Sequence, residues 1–127
     1  MRPDDRSYLQ SHEWASLDGD IVTVGITDFT VSQLGELVYL DLPEAGRAVK
    51  RGEAFGEVES VKAVSDLNSP VDGEVVEVNA GLPDDLSALQ DDPLAGGWLI
   101  KVKVGGADAL DGLLDAAAYE EVVAAES

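Results

Sequence analysis

No cysteine occurs in these 127 residues. That excludes disulfides, thiol nucleophiles and thiolate metal sites, and it suits a reducing compartment without requiring one. Histidine occurs once, at His12, so chemistry by paired imidazoles within one chain is ruled out. Basic residues are scarce: 8 Lys and Arg stand against 26 Asp and Glu, a formal net charge of −18. Nucleic acid and anionic membrane surfaces both demand a basic face, so neither is an expected partner. No apolar run approaches the length of a membrane span. The opening Met1-Arg2-Pro3-Asp4-Asp5-Arg6 lacks the apolar core of a secretory signal, and its aspartates disfavour an import peptide. There is no phosphate-cradling glycine loop, no nucleophile elbow and no cluster of metal ligands. Without an acid–base–nucleophile constellation, no catalysis by the chain itself is expected.

What is present reads as one domain over residues 1–127. A chain of this size buries roughly two thirds of its unfolded surface. Residues 1–7 are polar and are expected to be loose. Trp14–Leu17 and the β-branched run Ile21–Ile26 flank Asp18-Gly19, a turn pair, and predict an N-terminal hairpin. Thr27 is placed to cap a short helix over Asp28–Leu34, with Gly35 as its stop. Leu37–Leu42, Phe55–Glu59, Glu74–Asn79 and Trp98–Val104 read as strands. Residues 84–97 read as a loop with one helical turn at Asp85–Leu89. Leu110, Leu113, Leu114, Ala117 and Ala118 recur at helical spacing, which predicts a C-terminal helix over residues 108–125, with Asp108 and Asp111 at its positive end. Pro43-Glu44-Ala45-Gly46 and Pro70-Val71-Asp72-Gly73 share a turn frame on either side of Lys62, a weak internal echo. Composition and pattern amount to a small, mainly β protein.

Glu59-Ser60-Val61-Lys62-Ala63-Val64-Ser65-Asp66 holds one of only four lysines. Phe55, Val58, Val61, Val64 and Leu67 recur every three residues, which permits a helix. The β-branched valines and the stop at Asn68-Ser69-Pro70 favour strand and turn. No Asn-Gly or Asp-Gly adjoins Lys62, so turn chemistry alone leaves it unplaced.

The same eight residues closely resemble the lipoylation site of glycine cleavage system H proteins. The likeness runs along nearly the whole chain. Ser11-His12-Glu13-Trp14 resembles the family's opening motif, and Val24–Asp28, Leu34–Glu36, Leu42–Gly46, Phe55-Gly56, Asn68–Val75 and Gly97–Lys101 follow in order. Asp115–Tyr119 resembles the closing helix. Leu94 stands where the family commonly has an aromatic.

The resemblance implies a lipoyl-domain-like β sandwich, a barrel-sandwich hybrid, with Lys62 in a tight turn between two strands. It implies lipoate in amide linkage on Lys62, within a recognition context of Glu59, Ser60, Val61, Ala63 and Asp66. It implies that Ser11, Glu13 and Asp66 contact the amine cargo in a surface cleft. Two carboxylates beside a cationic amine make electrostatic sense. The implied partners are glycine decarboxylase (P protein), aminomethyltransferase (T protein), dihydrolipoamide dehydrogenase (L protein) and a lipoate ligase or lipoyl/octanoyl transferase. The carrier is expected to be monomeric and cytoplasmic in a bacterium, or in the mitochondrial matrix if a processed import form. A lipoyl-relay protein of the same family, serving 2-oxoacid dehydrogenases, is the alternative. A biotin carrier is disfavoured because Val61 and Ala63, not methionines, flank the lysine. A lipoyl domain of a 2-oxoacid dehydrogenase is disfavoured by the Ser-His-Glu-Trp opening and the terminal helix.

Overall fold

A computed structural model describes residues 5–126, save the side chain of Ala107. Strands β1 (Ser7–Tyr8), β2 (Glu13–Asp18) and β3 (Ile21–Ile26) open the chain. Helix α1 (Asp28–Leu34) and β4 (Leu37–Asp41) follow. Then come β5 (Ala48–Val49), β6 (Ala54–Ser60), β7 (Val64–Asn68) and β8 (Gly73–Val78). Helix α2 (Ser87–Asp91), β9 (Ile100–Lys103) and helix α3 (Ala116–Glu126) complete it. Six strands pair in the order β1-β2-β3-β9-β8-β5, and three in the order β4-β6-β7. The larger core is drawn from both sheets: Val22, Val24 and Val102 from one, Leu40, Val58 and Leu67 from the other.

The N-terminal hairpin forms with its turn one residue later than expected. Asp18 pairs with Ile21, leaving Gly19-Asp20 as the loop, and Gly19 takes φ +65°, which a glycine adopts at little cost. Thr27 does precede α1 in extended conformation, yet it makes no side-chain cap. Its hydroxyl lies 2.6 Å from the Tyr119 hydroxyl instead. Gly35 ends α1 at φ +80°, its N–H donating to the Val31 carbonyl. The two Pro-x-x-Gly segments meet: β5 pairs antiparallel with β8, Ala48 opposite Glu74, and the Gly46 N–H reaches the Val75 carbonyl at 2.6 Å.

Two expectations about the ends need correction. Ser7 is not loose, because it pairs with Ala15 in β1, and the Arg6 guanidinium stands 4.3 Å over the Trp14 ring. Residues 1–4 of that stretch lie outside the described residues. The C-terminal helix does not begin at Asp108. Ala107–Leu110 form a single 3-10 turn, Gly112 turns the chain at φ +86°, and Leu114 exchanges two backbone hydrogen bonds with Tyr8. The helix starts at Ala116, with Asp115 as its cap: the Ala118 N–H donates to Asp115 Oδ1 at 2.8 Å. Leu110 and Leu113 pack on the large core, whereas Leu114 joins a separate cluster with Tyr8, Trp14 and Tyr119. Their helical spacing was fortuitous, since the residues face different cores. The helical turn expected at Asp85–Leu89 falls slightly later, at α2, after a 3-10 turn at Leu82–Asp84.

Candidate functional site

Lys62 sits at the tip of the β6–β7 hairpin. The last paired residues are Glu59 and Val64. The three-residue apolar period that permitted a helix is divided by the hairpin: Phe55 and Val58 lie on β6, beside a register shift between Ala54 and Gly56, and Val64 and Leu67 lie on β7. A bulge of this kind lets residues at odd spacing face one side, and Phe55, Val58 and Leu67 all enter the core. Val61 and Val64 are exposed.

The turn is held by Ser60 rather than by a glycine. The Ser60 N–H donates to the Ala63 carbonyl at 2.8 Å. Ser60 Oγ accepts from the N–H groups of Lys62 and Ala63, at 3.3 and 3.1 Å. One hydroxyl thus satisfies two backbone donors of the loop, the local pairing at which serine is good. Neither Val61, Lys62 nor Ala63 has a positive φ, which is why the loop manages without Asn-Gly. The Val61 N–H donates to the Glu36 carbonyl at 3.1 Å, fastening the tip to the link between α1 and β4. Removing the hydroxyl, Ser60→Ala, strands these donors and costs about 1 kcal/mol. Amide exchange at Lys62 and Ala63 should accelerate in that variant, and unchanged exchange would refute the account of the turn.

Lys62 itself is exposed. Among the described residues no carboxylate lies within ion-pair distance of it. Its Cε stands 4.0 Å from where a Cβ on Gly35 would be, so the stem lies over the end of α1. The next residue back, Leu34, belongs to the wall of a surface cavity of about 240 Å³. Four parts of the chain build that wall: Ser11 and His12 before β2, Phe29, Thr30, Gln33 and Leu34 on α1, Ser65 on β7, and Glu126 at the end of α3. The Thr30 hydroxyl oxygen is buried and has no hydrogen-bond partner among the described residues.

The residues expected to share a cleft are only partly brought together. Ser11 lines the cavity, and its hydroxyl donates to Glu13 Oε1 at 2.5 Å. Glu13 lies behind it, 1% exposed, and its Oε2 accepts the Asn68 N–H at 2.9 Å. Burial is the main cause that raises the Glu13 carboxyl to about 7, against the opposing effect of those hydrogen bonds. Asp66 does not line the cavity. Ser65 does, and successive side chains of a strand point to opposite faces, which sends Asp66 outward, opposite Glu57. Glu59 is half-buried beside Tyr39 and Val64 in the same sheet. Of the recognition context, Val61 and Ala63 are exposed and Ser60 is buried.

Sequence reasoning missed four wall residues on α1, although a signal existed. Phe29/Gln33 and Thr30/Leu34 are two i, i+4 pairs on adjacent strips of one helix face. His12 was visible within the opening motif but carried no assigned role. It has φ +83°, in the left-handed region that few non-glycine residues adopt. Its ring nitrogens bridge Tyr119 Oη at 2.7 Å and Glu126 Oε1 at 3.0 Å. Glu126 offered no signal in the sequence.

The family model described as "Glycine cleavage H-protein" matches residues 6–126. A glycine cleavage system H protein of Marinobacter nauticus is 50% identical over 125 residues, 98% of this chain and 96% of that protein. One from Thermus thermophilus is 48% identical over 125 residues, covering 98% of each. The mitochondrial H protein of Oryza sativa subsp. indica is 52% identical over 116 residues, 91% of this chain and 71% of that one. A crystal structure of a glycine cleavage system H protein from Mycobacterium marinum superposes with a TM-score of 0.86 at 42% identity, covering 94% of this chain and 96% of that one.

Proposed function

This chain belongs to the glycine cleavage H-protein family, and from that premise we propose that Lys62 is the lipoyl attachment point and that the cavity beside α1 receives the arm. The protein is a lipoyl carrier of the glycine cleavage system, and its sheets are the lipoyl-domain-like β sandwich of that family. The observation that carries the proposal is an exposed amine, without an ion-pair partner among the described residues, at the tip of a hairpin whose flanks are fixed. A lysine amine forms an amide only as the neutral nucleophile, and it must enter another protein's active site to do so. A tip fastened by Ser60 and by the Glu36 carbonyl presents it in one place.

The residues present fit a lipoyl group. The stem of Lys62 already lies over Gly35 toward the cavity, and the wall combines apolar Phe29 and Leu34 with hydroxyls of Ser11 and Ser65. The unpartnered Thr30 oxygen is a polar atom that a bound group could satisfy. When attached, the group supplies a dithiolane that takes up electrons and a one-carbon amine fragment together. The chain's own part is to hold the arm near successive active sites at high effective concentration, and to shelter a water-sensitive cargo. Ser11 and Glu13 stand at the amine end of that shelter. Glu59 and Asp66 flank the tip on the outside, where a lipoate ligase or lipoyl/octanoyl transferase meets it.

The carrier meets glycine decarboxylase, aminomethyltransferase and dihydrolipoamide dehydrogenase in turn, and the catalysis belongs to them. We read it as a monomer, working in a bacterial cytoplasm or, as an imported form, in the mitochondrial matrix. The deciding test is reconstitution. Lipoylated protein added to those three enzymes with tetrahydrofolate, NAD and glycine should give glycine-dependent NADH. No NADH from a fully lipoylated sample would overturn the reading.

A further inference from the structure

The cavity wall contains a carboxylate that the carrier reading does not use. Glu126 ends α3 and lines the cavity, with its side chain about half exposed, at 46%. A carboxylate offers roughly four acceptor positions, and His12 Nε2 at 3.0 Å takes one of them.

That contact is the end of a chain of hydrogen bonds. Tyr119 Oη lies 2.7 Å from His12 Nδ1 and 2.6 Å from Thr27 Oγ1. With His12 neutral, one set of directions satisfies all three contacts: Thr27 donates to Tyr119, Tyr119 donates to Nδ1, and the Nε2–H donates to Glu126. The chain ties α3, the start of β2 and the start of α1 together around one cavity. It holds the Glu126 carboxylate in place at the cavity.

The other carboxyl groups considered for a cationic amine are placed differently. Glu13 is buried behind Ser11, with both oxygens already accepting hydrogen bonds. Asp66 lies on the far face of β7 from Ser65 and does not line the cavity. Among the described residues, Glu126 is the one acid in the wall itself.

We propose that Glu126 is a positioning residue for the amine cargo, its carboxylate receiving the protonated amine inside the cavity beside the Ser11 and Ser65 hydroxyls. This rests on the reading that the cavity takes the arm of Lys62. An ammonium meeting a carboxylate forms a charge-assisted pair, roughly twice as strong as a neutral one. Held in that pair, the amine is kept from water. Its loss by hydrolysis consumes one water, breaks the carbon–nitrogen and then the carbon–sulfur bond, releases ammonia and formaldehyde, and restores the dithiol.

The experiment uses the lipoylated protein, reduced and loaded with ¹³C-formaldehyde and ammonium. Ammonia release is followed in wild type, Glu126→Gln and Glu126→Asp, and the ¹³C resonance of the cargo is recorded for each. Free dihydrolipoamide loaded in the same way is the reference. Glu126→Gln keeps an acceptor for His12 but removes the charge. It should release ammonia about five-fold faster than wild type and move the cargo resonance toward the free reference, with Glu126→Asp closer to wild type. Release at the wild-type rate by Glu126→Gln, with wild type slower than the free reference, would overturn the proposal. Wild type no slower than the reference would instead sink the arm-in-cavity reading, and this proposal with it. Should Glu126→Gln also loosen α3, His12→Gln decides, because it weakens the same helix contact yet keeps the carboxylate. Fast release confined to Glu126→Gln supports the charge. Equally fast release in both variants overturns it.

Discussion

Lys62→Arg should fold as the wild type does and gain no lipoyl mass at all. Arginine keeps the positive charge and most of the aliphatic stem, so the exposed tip loses nothing that holds the hairpin. The Ser60 and Glu36 contacts run through the backbone of residues 61–63 and are untouched by the change. What goes is the chemistry. A guanidinium stays protonated at any pH a protein tolerates, whereas a lysine amine can give up its proton and act as a nucleophile. The effect is therefore all or none. Intact mass after incubation with lipoate ligase, ATP and lipoate reads it directly. The other lysines provide the internal check. Lys101 lies in β9 with its ammonium 5.0 Å over the Trp98 ring, Lys103 is a strand residue of the same sheet, and Lys50 adjoins β5. None is at a hairpin tip. Lipoyl mass persisting in Lys62→Arg would remove the basis of the functional reading.

The second large effect is on stability against pH. The Glu13 carboxyl is raised from 4.5 to about 7 in the folded protein, chiefly by burial. In the unfolded chain it loses its proton near the ordinary value. Between these two values the folded state holds a proton that the unfolded state has lost, so unfolding releases it. Raising the pH through that window therefore destabilises the fold, and the stability that the neutral acid allows is fully present only below the unfolded value. A shift of this size corresponds to about 3 kcal/mol across the window. The whole chain, with its net charge of −18, also gains from acidification through reduced self-repulsion. Glu13→Gln separates the two. Its amide oxygen can still accept the Asn68 N–H, and its amide N–H can donate to Ser11 Oγ once that hydroxyl turns round, without an ionisable proton. Urea midpoints measured from pH 4.5 to 8 should fall more steeply for wild type than for Glu13→Gln. Parallel curves would show that Glu13 is not held neutral by its surroundings.

The interior of the fold was legible residue by residue wherever a local signal stood alone. α1 and its Gly35 stop emerged as expected because helix length, start and end were all written between Thr27 and Gly35. The hairpin of β2 and β3 was marked by a β-branched run beside a glycine turn. Where two signals overlapped, local reading failed. Leu110, Leu113 and Leu114 imitate a helix face, yet Gly112 and the pairing of Leu114 with Tyr8 divide them between two cores. Thr27 was placed at a helix start correctly, but its hydroxyl answers to Tyr119, far along the chain.

By its residues alone the chain determined which family it belongs to and which lysine the tip motif marks out, because the tip motif and its order among the other motifs are linear properties. Only the tertiary structure decided which acids face the cavity. Whether a carboxylate is neutral, exposed or turned inward depends on what packs against it from distant segments: Asn68 against Glu13, His12 against Glu126, the alternation of β7 against Asp66. Charge is set by surroundings, and surroundings are assembled by folding.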